Sequence, residues 1–101
     1  MLEYLAAEQR RVRAVAGKKL RAVLEKVRSG SSDANIAFRD LIALLDALGF
    51  DERVRGDHHI LWKAEVTEIL NLQPMGSKAK PYQVKQVRAI LAKYGLGFDD
   101  A

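Results

Sequence analysis

The chain contains two histidines, His58 and His59, which follow directly after Gly56 and Asp57. Imidazole is the side chain that ordinarily titrates closest to neutral pH, so proton transfer would most readily use this pair. Successive residues of a β-strand point to opposite faces, and adjacent histidines on a strand are therefore poor joint ligands for one metal ion. The residues predict a metal-free site at 56–60, with a structural or solvent-facing histidine pair as the alternative.

Positive charge is distributed unevenly along the chain, which carries a formal net charge of +4. Residues 1–30 contain 8 Lys or Arg against 3 Asp or Glu, whereas residues 31–101 contain 9 against 10. The basic excess therefore lies in the first part. A second stretch, over residues 78–93, contains cations without acids: Lys78, Lys80, Lys85, Arg88 and Lys93. It fits either a phosphate-binding surface or a solvated helix face beside a basic loop.

Length and composition indicate one globular domain. A chain of 101 residues suffices for one compact core, and 49% hydrophobic with 30% charged residues is typical of folded proteins. There is no cysteine, which excludes disulfides, thiol nucleophiles and zinc sites with cysteine ligands. Residues 1–5 contain an early acid and begin no apolar run long enough for a signal peptide or a membrane span. We expect a cytoplasmic protein without membrane contact.

The first 35 residues are predicted to form a helical extension followed by a linker. A helix ending near Gly30 is indicated by apolar residues at helical spacing, namely Leu20, Val23, Leu24 and Val27. A less regular helical stripe covers 3–16, and small polar residues at 29–35 indicate the linker. We expect a domain over 36–96 and a tail over 97–101. The extension would pack on the domain's own surface, form a homodimer, or bind a partner protein.

The following residues predict a helix, three strands and a helix. The expected elements are a helix over 38–48, strands over 50–55, 58–63 and 68–73, a loop over 74–80, and a helix from Pro81 to Gly95. Gly56 and Asp57 are expected to form the turn of a hairpin between the first two strands. This order indicates an α+β fold, a three-stranded antiparallel sheet with helices on one face and the other face available to a partner.

A helix followed by Leu-Gly-Phe and then by Gly-x-His-His is a fairly specific combination of motifs. The segments are Phe38-Arg39-Asp40-Leu41-Ile42-Ala43-Leu44-Leu45, Leu48-Gly49-Phe50, Arg55-Gly56-Asp57-His58-His59-Ile60 and, after the basic loop, Tyr94-Gly95-Leu96. In these segments the chain closely resembles the HicA toxins of bacterial toxin–antitoxin pairs. The resemblance covers roughly residues 36–96 and leaves the extension outside.

The resemblance implies a fold like that of a double-stranded-RNA-binding domain, with the order αβββα. It also implies a toxin that cleaves mRNA as an endoribonuclease independently of the ribosome, with a HicB-type antitoxin encoded nearby. The catalytic histidine of such toxins is the first of the pair, which corresponds to His58. Lys78 and Lys80 lie in the lysine-rich loop that precedes the last helix in these toxins. Asp57 departs from the pattern, because a serine usually stands there.

Metal-independent RNA cleavage needs a base for the ribose 2′-OH, cations for the phosphoryl oxygens and an acid for the leaving oxygen. We expect His58 to be the base, without a cofactor. The residues expected to bind phosphate are Arg53, Arg55, Lys78 and Lys80. Supporting roles are expected for Gly56, Asp57 and His59.

Asp57 leaves a second function open. A carboxylate beside His58 would favour the imidazolium form and repel RNA phosphate. The chain would then be a non-catalytic module that binds RNA or the antitoxin on the same fold. For Trp62 and Tyr82, stacking on bases and a place in the core or at its rim are both open. The expected partners are mRNA and a HicB-type antitoxin.

Overall fold

The computed structural model of the protein describes residues 17–99. Within these residues the helices are α1 (Lys18–Ser29), α2 (Phe38–Ala47) and α3 (Pro81–Tyr94), with a 3₁₀ helix (Asp33–Asn35) between α1 and α2. The strands are β1 (Asp51–Arg55), β2 (His58–Trp62), β3 (Leu70–Leu72), β4 (Pro74–Met75) and β5 (Lys78–Ala79). None of the helices in this part of the chain has the length and apolar character to cross a bilayer.

The main sheet is antiparallel, with the strand order β1-β2-β3. On one face Leu61, Leu70 and Leu72 are buried in the same core as the helices. The residues that alternate with these leucines along the strands point to the other face of the sheet, because successive side chains of a strand lie on opposite faces. We call that side the open face; it carries Arg53, Arg55, His58, Ile60, Trp62 and Asn71. The predicted α+β fold with a three-stranded antiparallel sheet is confirmed.

Helix α1 belongs to the same core as the rest of the domain. Its residues Val23, Leu24 and Val27 are buried with the apolar faces of α2 and α3. Packing on the chain's own surface is therefore what the described part of the extension does. The helical stripe predicted over residues 3–16 lies outside the described residues, and the domain boundary at residue 35 stays a prediction.

The 3₁₀ helix and α1 are also tied to α3 by polar contacts. The guanidinium of Arg88 donates to both carboxylate oxygens of Asp33 at 2.9 and 3.0 Å, and to the carbonyl oxygen of Val27 at 2.9 Å. The hydrogen bonds between Arg88 and Asp33 lower the pKa of Asp33 and raise that of Arg88. The segment predicted to be a linker is thereby fixed against the last helix.

Two elements differ from the prediction. The third strand is shorter than expected at both ends. At its start Glu68 accepts hydrogen bonds from Lys93 and Tyr94, and after its end the backbone N–H of Gln73 donates to the side chain of Gln83 instead of to a strand. The predicted loop at 74–80 contains a small hairpin, β4 and β5. That hairpin forms because the chain around Ile36 and Phe38 exchanges backbone hydrogen bonds with Ser77 and Ala79.

Candidate active site

A tight turn places His58 at the start of β2. Gly56 and Asp57 connect β1 to β2, and Gly56 has a φ of +60°, in the left-handed region that favours glycine. The register pairs Arg55 directly with His58, so both side chains lie on the open face. The hairpin therefore presents a cation next to an imidazole at its tip.

Asn71 of β3 orients the imidazole of His58. Nδ1 of His58 lies 3.1 Å from Oδ1 of Asn71. Since an amide oxygen only accepts hydrogen bonds, the ring donates from Nδ1, and the neutral imidazole keeps its lone pair on Nε2. The His58 side chain is 50% exposed. A ligand on the open face can therefore reach a histidine whose tautomer suits a general base.

Asp57 lies beside the same imidazole and is held in place by a chain of hydrogen bonds. Its Oδ1 is 3.8 Å from Nε2 of His58, and its Oδ2 accepts a hydrogen bond of 2.8 Å from Nε2 of Gln73. Nζ of Lys80 donates in turn to Oε1 of Gln73 at 3.0 Å. The hydrogen bond from Gln73 lowers the pKa of Asp57, and the positive charge of Lys80 acts in the same direction. The site thus contains a fixed carboxylate.

The buried amide of Gln83 fixes the end of β3 that carries these residues. Gln83 lies in the first turn of α3 and is buried. Its Oε1 accepts from the backbone N–H of Gln73 at 3.1 Å, and its Nε2 donates to the backbone carbonyl of Asn71 at 3.3 Å. Asn71 of β3 and Gln73, which follows β3, are therefore both positioned by one side chain of α3.

The four basic residues predicted to bind phosphate do not all lie together. Arg53 and Arg55 are exposed on the open face, two residues apart on β1. Lys80 is connected to Asp57 through Gln73. Lys78, by contrast, donates to Oδ1 of Asn35 at 3.3 Å, beside the 3₁₀ helix. The structure joins Arg55 and Lys80 to the surroundings of His58 and gives Lys78 a different set of contacts.

His59 lies on the opposite face of the sheet from His58. Its ring meets the ring of Phe38 edge-on, with centroids 4.8 Å apart. Its Nδ1 is 2.6 Å from Oε2 of Glu52, and only 23% of its side chain is exposed. The two imidazoles therefore have separate surroundings, and His59 anchors β2 to α2 and β1. Over residues 17–99, His, Asp and Glu side chains form no cluster of three or more that would hold a metal ion.

Three polar residues of the site were not predicted from the sequence: Asn71, Gln73 and Gln83. For Asn71 a signal was present, because it stands between Leu70 and Leu72, whose side chains are buried. Alternation then places the amide on the open face. Gln73 and Gln83 carry no such signal, since their roles depend on how α3 packs against the end of β3.

Comparison of the chain with family models, with curated proteins and with solved structures finds no match.

Proposed function

We propose that the chain is a metal-independent endoribonuclease of the HicA type, a cytoplasmic toxin that cleaves mRNA and is neutralised by a HicB-type antitoxin. A fold of the double-stranded-RNA-binding type, with the order αβββα, is part of the proposal. The observation that carries it is the His58 imidazole, which donates from Nδ1 to Asn71 and stands beside Arg55 on an exposed sheet face. This arrangement offers a base and a cation to a phosphodiester on one surface.

In the proposed reaction, Nε2 of His58 accepts the proton of a ribose 2′-OH while the 2′ oxygen attacks the adjacent phosphorus. The bond from phosphorus to the 5′ oxygen breaks, and that oxygen takes a proton from solvent. One product ends in a 2′,3′-cyclic phosphate and the other begins with a 5′-OH. Arg55 and Lys80 offset the charge that grows on the phosphoryl oxygens, and Asp57 stabilises the imidazolium that forms.

A second candidate function is a non-catalytic module that binds RNA or the antitoxin. The observation that favours it is the Asp57 carboxylate, 3.8 Å from Nε2 of His58 and held there by Gln73. A negative charge at this place repels an approaching phosphate. The Asp57→Ser variant separates the two functions. Faster RNA cleavage by this variant supports a nuclease with a damped site, whereas the absence of cleavage in both forms supports the binding module.

The test of the nuclease uses purified protein and a long single-stranded RNA in EDTA, with fragments followed on a gel. We expect His58→Ala to lower the cleavage rate by about a hundredfold or more, the usual contribution of a general base. His59→Ala is the matched control, because it removes the neighbouring imidazole from the other face and should still cleave. Far-UV circular dichroism checks that both variants are folded. A His58→Ala protein that cleaves at the wild-type rate overturns the proposal.

A further inference from the structure

The open face carries an exposed aromatic side chain that the proposed chemistry does not use. Trp62 ends β2 on the same face as His58, and 39% of it is exposed. The neighbouring open-face positions carry Ile60, which follows His58 on β2, and Arg53, which pairs with Ile60. An indole that is exposed on the same sheet face as arginine side chains can stack on a nucleic-acid base. We call Trp62 and the open-face side chains around it the aromatic patch.

The charges around this patch define what would bind there. Arg53 and Arg55 occupy successive open-face positions of β1, and Arg55 pairs with His58. Asp51 is the residue that pairs with Trp62 at the other end of β1. On the open face of β1 the two arginines therefore lie toward the His58 end of the sheet, and Asp51 lies at the Trp62 end. A polyanion with flat apolar groups fits this order, with its phosphates near the arginines and a base over the indole.

We propose that Trp62 is a stacking platform for an unpaired base of a bound RNA strand. His58 and Trp62 are four residues apart on β2, which corresponds to about 14 Å along the strand. That distance exceeds the reach from a phosphate to its own base. The base on Trp62 therefore belongs to a nucleotide further along the strand than the cleaved linkage, and Arg53 lies between the two positions.

The platform selects single-stranded over double-stranded RNA. In a duplex the faces of the bases are covered by their neighbours, and an indole on a sheet has no access to them. An unpaired strand exposes these faces, and stacking accepts any base. The inference rests on the proposed function for the identity of the ligand as RNA, but binding is measured separately from cleavage.

Trp62 provides its own reporter, because it is the single tryptophan of the chain. The probe is a fluorescently labelled 2′-O-methyl oligonucleotide, which lacks the 2′-OH and cannot be cleaved by the proposed mechanism. We expect it to change the tryptophan emission saturably, with the same midpoint as the anisotropy of the label. The same strand in a duplex should leave the emission unchanged.

Two variants test the contact directly. Trp62→Ala should weaken oligonucleotide binding by about 5-fold to 150-fold, the measured range for one stacked base, while Trp62→Phe retains most of the affinity. Val54→Ala is the matched control, because Val54 is 52% exposed on the opposite face of the same sheet and its loss should leave binding unchanged.

Either of two results overturns the platform: saturable binding with no change in tryptophan emission, or equal affinities for Trp62→Ala and wild type. A patch needed only for a protein partner would give the second result. If His58→Ala cleaves like wild type while Trp62 still responds to the oligonucleotide, the catalytic proposal fails and the platform stands. If the platform fails while His58 is needed for cleavage, only the stacking inference falls.

Discussion

Replacing Arg88 by methionine tests how firmly α1 and the 3₁₀ helix are held to the domain. The guanidinium makes three hydrogen bonds of 2.9 to 3.0 Å, two to Asp33 and one to the carbonyl of Val27. The Arg88 and Asp33 side chains are only 24% and 21% exposed, so solvent screens the pair weakly. Methionine keeps much of the aliphatic packing but loses every hydrogen bond and leaves the carboxylate without its guanidinium.

The expected loss of unfolding free energy is about 2 to 3 kcal/mol, since hydrogen bonds to charged groups contribute more than neutral ones. For a domain of this size the melting temperature falls by about 4 to 8 °C per kcal/mol, so we expect a decrease of about 10 to 20 °C. Thermal unfolding followed by circular dichroism measures this decrease. Lys85→Met is the matched control, because it removes an exposed cation of the same helix that acts on Asp33 through its charge alone, and it should change stability by less than about 0.5 kcal/mol.

A double-mutant cycle with Asp33→Ala separates the ion pair from the lost packing. The two single changes should be strongly non-additive, because each removes the same contact. If Arg88→Met melts like the Lys85→Met control, or if the two changes add without coupling, the proposed fastening of α1 through this cluster is wrong.

Three further predictions concern single residues. Gly56→Ala should cost about 1 to 2 kcal/mol of unfolding free energy because φ is +60°, although an added Cβ meets no atom within 4 Å. Gly56→Asn is the control in the same denaturant titration and should cost less, because asparagine tolerates the left-handed region. Lys93 and Tyr94 lower the pKa of Glu68 from 4.5 to about 2, so its stabilising effect is complete above pH 4.5 and is lost toward pH 2. The stability difference between wild type and Glu68→Gln should therefore shrink over that interval, and a constant difference would contradict it. Asn71→Leu should lower kcat about fivefold without changing RNA affinity, because it removes the hydrogen bond that orients the His58 imidazole. An unchanged kcat would argue against this positioning role of Asn71.

The helices and the hairpin were predictable because local signals define them. The apolar stripe ending near Gly30, the face that begins at Phe38, and Pro81 with Gly95 each mark an element that the structure contains. The hairpin of β4 and β5 was missed because each strand has two residues and is held by backbone bonds to a distant segment around Ile36. No local sequence pattern predicts backbone pairing with a segment so far away in the chain.

The candidate site could likewise be predicted only in part from the sequence. Strand alternation was enough to expect His58 and His59 on different faces, and the hairpin turn places Arg55 opposite His58. The hydrogen bonds that join Lys80 to Asp57 through Gln73 depend on the packing of α3 against β3, which is a tertiary property. Their consequence is that Asp57 is held in a defined position in the site by Gln73.

The most direct test of the central proposal is the chemistry of the RNA ends. Mass spectrometry of fragments produced in EDTA should find 2′,3′-cyclic phosphates and 5′-OH ends with wild type and about a hundredfold fewer with His58→Ala, because in the proposed reaction His58 activates the 2′-OH of the cleaved nucleotide. Fragments with 5′-phosphates, or cyclic phosphates formed equally by both proteins, would contradict a nuclease in which His58 is the base.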